Sequence, residues 1–333
     1  MKTAKLIIIG FGVIGKGFVR VLIMKHNEIL KNHDIDLKVV AICEIDGSLV
    51  NEKGIDLESA LKLAEKEELK KHNDWRSIKG LEVIEEIDAD IVLELTPGNI
   101  KSGEPGLSHI ICALKNGRHV VTSNKAPLAL RFSQLHKLAE KRGVKLRYEA
   151  SVGGAIPIIN LYRNNMQINK IHSIYGILNG TSNFILTKMF EEDLALDIAL
   201  KEAQEIGIAE KDPSYDINGI DTGVKLVILA NSLMDKKISF RDVKITGIKE
   251  VTPESVELAK NHGFVIKLIG DVNKLEVSPR LVPLDHPLNV SGTLNAIMLD
   301  TDIAGSIILV GHGAGKIETA SSLFSDVLDI LRS

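Results

Sequence analysis

Short apolar runs alternate with stretches of helical periodicity through the first part of the chain. Leu6–Ile9 is unbroken apolar sequence; after Gly10-Phe11-Gly12-Val13-Ile14-Gly15, apolar residues recur at Phe18, Val19, Leu22, Ile23, Ile29 and Leu30. This pattern predicts a strand, a tight glycine turn and a helix. Further strands are predicted over Leu37–Cys43, Asp90–Leu95 and His119–Thr122, with helical patterns between them, one of them charged and spanning about Leu57 to Lys71. Strands separated in this way are expected to lie parallel, joined by right-handed crossovers. The densely charged segment Glu52–Lys79 is expected to form a solvated helix and loop on the outer face.

After Tyr148 the order of elements changes. The glycine-rich stretch Ser151-Val152-Gly153-Gly154-Ala155-Ile156-Pro157 precedes a predicted strand over Ile171–Leu178. Helices follow near Asn183–Phe190, Leu194–Glu205 and Ile217–Leu233, then β-like runs at Phe264–Val272 and Leu275–Val282. Strands and helices in runs fit an α+β domain whose sheet is covered on one face. A late strand, Ser306–Val310, leads into a loop, Gly311-His312-Gly313-Ala314-Gly315, and a helix from about Ile317 to Leu331 closes the chain. The expected fold class is α/β: a Rossmann-type parallel sheet over residues 1–135, with 305–333 packing back onto it, and a second, α+β domain over 136–304. No internal repeat or low-complexity tract interrupts this plan.

Composition narrows the class of function. The chain has 333 residues, a formal net charge of -3, 44% apolar and 26% charged residues, which is a globular composition with length for two domains. Lys and Arg are dispersed and the balance is slightly acidic, so no cationic field for a nucleic-acid backbone is expected. No run reaches the roughly 18 apolar residues needed to cross a bilayer, so no membrane partner is expected. The N-terminal apolar run lacks a cleavage site and reads as a buried strand, not a signal peptide. Cys43 and Cys112 each sit among apolar residues and are expected to be reduced core thiols, which fits a cytoplasmic location.

The glycine turn is the first feature that carries chemistry. Gly10 permits the tight turn, Gly12 lets a pyrophosphate approach the backbone and Gly15 lets the helix pack closely on its strand, while the first-turn amides face the anion. Phe11, Val13 and Ile14 complete this candidate dinucleotide site. An acidic residue at the end of the second strand is expected to hold the ribose hydroxyls, and Glu44 occupies that place, 29 positions past Gly15. With Asp46 nearby and no Arg or Lys until Lys53, a 2′-phosphate would meet negative charge, so NAD is expected to be preferred over NADP.

Seven ordered stretches resemble the homoserine dehydrogenase family across nearly the whole chain. They are Gly10–Gly15; Leu95-Thr96-Pro97; Thr122-Ser123-Asn124-Lys125-Ala126-Pro127-Leu128-Ala129; Tyr148–Pro157; Leu178-Asn179-Gly180-Thr181-Ser182-Asn183-Phe184-Ile185; Ala209–Pro213 with Asp216, Asn218-Gly219, Asp221 and Lys225; and Gly311–Gly315 with Thr319-Ala320. The resemblance implies NAD(P)-dependent interconversion of L-homoserine and L-aspartate 4-semialdehyde, a step toward threonine, methionine and isoleucine. It also implies that the second domain carries both catalysis and dimerisation.

The resemblance assigns roles residue by residue. Lys225 is the implied proton donor, Asp216 and Lys125 are implied catalytic partners, and Glu210, Asp216, Asp221, Gly180, Thr181 and Lys125 are implied to bind substrate. Leu95, Thr96, Pro97, Lys125 and Gly311 join the glycine turn and Glu44 as implied cofactor contacts. A sodium or potassium ion is implied on Glu149 and the carbonyls of Val152, Gly154 and Ile156. Apart from the resemblance, Lys225 stands alone in the apolar stretch Gly223–Ala230, where burial would lower its pKa toward the working range. The other reading is a helix-surface pair with Asp221, four residues earlier, worth a few tenths of a kcal/mol.

Two departures from the family pattern stand out: Ser182 replaces a second Thr, and His312 sits where Arg or Pro is expected. The chain also ends without room for the amino-acid-binding regulatory domain of many relatives, so feedback through such a domain is not expected. Two rival readings remain open at this point. One is another amino acid or aldehyde dehydrogenase on the same fold; an acylating enzyme would need a nucleophilic Cys in an exposed, basic setting. The other is a non-enzymatic NAD-sensing protein, which has no need of Lys125, Asp216 and Lys225. A homodimer joined through the second domain's sheet is expected.

Overall fold

The computed structural model describes residues 2–332. Its first sheet contains β1 (Lys2–Ile9), β2 (Ile35–Glu44), β3 (Gly47–Val50), β4 (Trp75–Arg76), β5 (Ile91–Glu94), β6 (His119–Thr122) and β7 (Leu146–Arg147), in the order β4-β3-β2-β1-β5-β6-β7. Strands β2, β1, β5, β6 and β7 are mutually parallel. In β1, Leu6 to Ile9 are all buried, as a central parallel strand covered on both faces requires. The helix Lys316–Arg332 packs on Val13–His33, with Phe324 stacked on Phe18 at 4.2 Å between ring centroids.

Because β1 has β2 on one side and β5 on the other, the chain reverses its winding direction between them. The carboxyl ends of β1 and β5 therefore border the crevice where ligands of open α/β sheets bind. The glycine turn follows β1, and Leu95-Thr96-Pro97 follows β5.

The second sheet contains β8 (Ile171–Ile177), β9 (Lys244–Ile245), β10 (Phe264–Asp271), β11 (Glu276–Pro283), β12 (Leu294–Thr301) and β13 (Ser306–His312), ordered β13-β12-β8-β10-β11-β9. All neighbours are antiparallel except β11 and β9. Helices Gly180–Glu191, Ile220–Met234 and Pro253–Asn261 pack against β10, over a core that includes Ile177, Val265, Ile269 and Ala296. No described helix is long and apolar enough to cross a membrane.

The structure corrects several expectations. The charged segment is not only a solvated helix and loop. Its helix ends at Glu65, Leu69 and His72 are buried, and β4 pairs antiparallel with the unforeseen, fully buried β3. The expected Ile217–Leu233 helix is two, Ser214–Ile217 and Ile220–Met234, separated at Gly219 with φ +78°. Gly311 and His312 continue β13, where they pair with Asn295 and Leu294, instead of opening a loop. Cys112 is half-buried on the helix Gly106–Lys115, so only Cys43 is a core thiol.

The chain divides into two compact units, Met1–Ser151 with Gly315–Ser333, and Val152–Ala314. These divisions differ from the expected ones at 135/136 and 304/305. Helix Lys125–Arg142 leads into β7, which still pairs with β6, and β13 pairs with β12 in the second sheet.

Candidate active site

In the first unit the glycine turn is built by close backbone approach. Gly10 has φ +95°, and a Cβ there would lie 3.0 Å from the Leu95 carbonyl carbon and oxygen. A Cβ on Gly15 would lie 2.3 Å from the Gly10 carbonyl oxygen, so only glycine lets the helix start against the strand. Gly12 faces open space and gives helix Val13–His33 no side-chain cap. Its first-turn amides are thus left for an anion, and a dinucleotide pyrophosphate fits that donor set. Val13 is exposed, Ile14 half-buried and Phe11 buried.

Glu44 lies beside this turn, and its carboxylate accepts a hydrogen bond from the Phe11 amide at 3.0 Å. Asp46 is paired with Lys70 at 2.8 Å, a cation remote in sequence, and its carboxyl is held below the usual range by that contact. Leu95 is buried, Thr96 half-buried and Pro97 exposed at the end of β5. Lys125 is the first residue of helix Lys125–Arg142 and is half-buried. A cation at a helix N-terminus opposes the macrodipole, so local helix energetics do not account for a lysine there.

In the second unit four polar side chains converge. Helix Ile220–Met234 is buried on nearly every side. On it, Lys225 Nζ donates to Asp221 at 2.8 Å and to the Leu178 carbonyl at 2.6 Å. Asn179 Nδ2 donates to Asp221 at 3.0 Å and to Asp216 at 2.6 Å, while its Oδ1 accepts from the Ser182 amide at 2.8 Å. Asn179 therefore caps helix Gly180–Glu191 and bridges the two carboxylates with one amide group. The surface-pair reading of Lys225 is overturned in part. The pair with Asp221 exists, but both side chains are only 8% exposed.

Burial, then the nearby Asp221, raises the Asp216 carboxyl above its ordinary value, against the opposing pull of Asn179, Lys225 and Thr181. The Tyr215 phenol, partly buried beside the same two carboxylates, is pushed up as well. One ammonium thus faces two carboxylates, a local deficit of one positive charge, which suits a ligand carrying an ammonium group.

The remaining expected residues fall as follows. Thr181 is half-buried, its hydroxyl 3.3 Å from the Ile208 carbonyl. A Cβ on Gly180 would lie 2.6 Å from the Thr293 carbonyl oxygen. Glu210 is exposed, and among the described residues its carboxylate makes no hydrogen bond to the Asp216–Lys225 cluster. Gly311 lies in β13, and His312 is exposed with its carbonyl accepting the Ala155 amide at 3.0 Å.

Glu149 and Val152 are buried, Gly154 has φ +59°, and the Ile156 carbonyl accepts the Ile158 amide at 2.9 Å. No group of three or more His, Cys, Asp and Glu among the described residues could hold a metal ion; a carbonyl site would leave no such group. Sequence reasoning missed the Asn179 side chain, whose one visible signal was its N-cap position before Gly180-Thr181-Ser182. It also missed Tyr215, which had none.

Both units match known proteins. Residues 10–149 match the family model for the homoserine dehydrogenase NAD binding domain, and 157–328 match that for homoserine dehydrogenase. The homoserine dehydrogenase of Methanocaldococcus jannaschii is 50% identical over 98% of both chains. An NAD(+)-dependent homoserine dehydrogenase of Pseudomonas canavaninivorans is 35% identical over 100% of this chain and 97% of its own. A hyperthermophilic archaeal homoserine dehydrogenase mutant, solved in complex with NADPH, superposes with a TM-score of 0.87 at 30% identity, covering 99% of this chain and 98% of that one.

The rival readings are not favoured. Burial pushes the Cys43 thiol up to about 12, and burial with Glu85 also raises Cys112, the reverse of a nucleophilic cysteine's setting. The raised Asp216 carboxyl sets the direction of a pH effect. Its folded-state value lies above the unfolded one, so it destabilises the fold at neutral pH, and the penalty fades as pH falls through the raised value. Asp216→Asn is expected to raise Tm at pH 7, with an advantage that shrinks in acid, and to lower turnover. Thermal melts across pH check this; an advantage that grew in acid would refute it.

Proposed function

As a member of the homoserine dehydrogenase family, to which the chain belongs, it is an NAD(P)-dependent oxidoreductase acting on homoserine, and we propose that Lys225 is the group that moves the proton. The observation that carries this reading is the buried ammonium bonded to Asp221 and the Leu178 carbonyl. The dinucleotide supplies the hydride acceptor in one direction and the donor in the other. Lys225 gives its proton to the alkoxide that develops on the aldehyde oxygen and is left as the neutral amine, and as that amine it takes the hydroxyl proton in the reverse direction. Asp221 fixes the ammonium on its site, and Asn179 holds Asp221 and Asp216 in register.

Asp216, with Thr181 and the Gly180 backbone beside it, takes the substrate ammonium, whose charge offsets the local deficit. Glu210, exposed in this structure, joins them as a substrate contact. Lys125 takes the substrate carboxylate and borders the nicotinamide, and Leu95, Thr96 and Pro97 carry the turn under that ring. Gly10 to Gly15 bind the pyrophosphate, Gly311 covers the cofactor, and Glu44 receives the ribose hydroxyls and favours NAD. A sodium or potassium ion is held by Glu149 and the Val152, Gly154 and Ile156 carbonyls. The half-buried Ile307, Ile308 and Leu309 and the exposed Val310 of β13 are the strip we assign to a homodimer. The product lies on the route to threonine and methionine.

Lys225→Ala is expected to abolish turnover while leaving dinucleotide binding by fluorescence intact; near-normal kcat would remove Lys225 from the mechanism. The variant leaves Asp221 buried without its cation, a loss of about 3–5 kcal/mol in stability, so assays belong well below its Tm. Homoserine oxidation followed with both dinucleotides should give the higher kcat/KM for NAD, and a clear NADP preference defeats the role given to Glu44. The same assay in sodium, potassium and bulky-cation buffers should respond to the ion, and a flat response counts against it. Solution scattering should report a dimer; a stable monomer rules out the β13 interface.

A further inference from the structure

Glu94 ends β5 fully buried, with 0% of its surface exposed. Its Oε1 accepts the Thr96 amide at 3.1 Å and also the Thr96 hydroxyl. Its Oε2 lies 3.2 Å from the hydroxyl of Thr122, its register partner on β6. That hydroxyl lies 2.8 Å from the Glu94 carbonyl oxygen and accepts the Asn124 amide at 2.9 Å. Asn124 Nδ2 reaches back to the Thr96 hydroxyl at 3.5 Å, and its Oδ1 caps the helix that Lys125 begins, through the Ala126 amide at 3.2 Å. A Cβ on Gly106 would lie 2.4 Å from Asn124 Nδ2 and 3.0 Å from Glu94 Oε2, so the ring of contacts is closed on that side by backbone. Among the described residues, the ring nitrogen His109 Nδ1 stands 3.7 Å from Oε1, beyond hydrogen-bond reach, and makes no hydrogen bond of its own.

Burying a carboxylate is costly, and an apolar residue would pack this strand end with less penalty. What the carboxylate supplies is reach to two strand ends at once. We propose that Glu94 is a positioning residue for the reaction: it clamps the Thr96–Pro97 turn to the Thr122–Lys125 turn, so one buried anion sets the placement of both. The inference rests on the reading of Thr96 and Pro97 as nicotinamide contacts and of Lys125 as a substrate contact. Glu94 touches neither ligand in this scheme and acts through Thr96 on one side and through Thr122, to which the Asn124 amide is bonded, on the other. Thr122 bonds directly to the Lys125 arm and reaches the Thr96 arm only through the longer Asn124 Nδ2–Thr96 contact at 3.5 Å, so cutting it weights the effect toward Lys125.

The test uses the full chain with Glu94→Asp, which keeps the charge but loses the reach, and Thr122→Val, which cuts the Lys125 arm. Glu94→Asp is expected to raise KM for the dinucleotide and for homoserine together and to lower kcat, by up to about a hundredfold for a misplacement of about 1 Å. Thr122→Val is expected to raise KM for homoserine more than KM for the dinucleotide, since the Lys125 it disturbs holds the substrate carboxylate and only borders the nicotinamide. Glu94→Asp with unchanged kinetic constants, or with a lowered Tm as its sole effect, overturns the proposal, as does a Thr122→Val variant that raises both constants alike. If Glu94→Asp does not fold, the unequal effect of Thr122→Val on the two constants decides. Lys125→Ala separates the underlying reading from the clamp. Should it leave homoserine KM unchanged, the Lys125 assignment fails, and the dinucleotide KM of Glu94→Asp still decides the clamp.

Discussion

An ammonium placed on a helix that is apolar around most of its circumference must find acceptors or lose its charge, and the second unit is arranged around that demand. Lys225 finds two, the Asp221 carboxylate and the Leu178 carbonyl. The carbonyl is free to accept because the chain leaves β8 at Ile177 and does not begin its next helix until Gly180. Asn179, in that gap, spends its oxygen on capping and its nitrogen on two carboxylates. A buried pair of this kind is weak support for stability, since apolar residues of similar volume are often better by about 1–4 kcal/mol. The acid–base role proposed for Lys225 would account for its presence, with the extra carboxylate of Asp216 left for the substrate ammonium of that proposal.

The first unit meets the opposite demand, for donors without acceptors. Helix Val13–His33 starts with no side-chain cap at Gly12, so its first amides face the mouth of the sheet unpaired within the helix. The close approach of Gly10 to Leu95 and of Gly15 to Gly10 makes this possible, because any side chain at either place would hold the backbones apart. The anion site proposed in one unit and the ammonium site proposed in the other rest on the same rule, that buried or poised polar groups seek partners, applied to opposite charges.

How much of this was legible depended on how local it was. The glycine turn was readable because three glycines at fixed offsets determine a turn by themselves, and the i,i+4 spacing of Asp221 and Lys225 declared their contact on any helix. The burial of that contact was legible from the apolar run around Lys225, whereas the bridge through Asn179 joins positions 37 and 42 residues apart and left no spacing to read. Glu94 falls inside the predicted strand Asp90–Leu95 with nothing in the local sequence to single it out, and only the register of β5 with β6 sets it against Thr122. The strands β3, β4, β7, β9 and β12 have no counterpart in the sequence pattern, all but β12 because they are too short to show an alternation. Gly311 and His312 were taken for a loop because glycine-rich sequence resembles one; the pairing with β12 overrides that local preference.

The end of β2 shows the same limit for cofactor choice. In sequence, Glu44 and Asp46 form an acidic pair with no nearby base, and both would count against a 2′-phosphate. In the fold, Lys70 comes from a distant turn to Asp46, and the two exposed charges largely cancel at any distance beyond their own separation. Glu44 is then left as the principal charge at the strand end, tied to the turn by the Phe11 amide and hence fixed in place. Preference for NAD would thus rest on one anchored carboxylate instead of two, with Lys70 as a cation that a 2′-phosphate could recruit by displacing Asp46. That single change of partner is small enough for members of one family to differ in cofactor use while keeping the same fold.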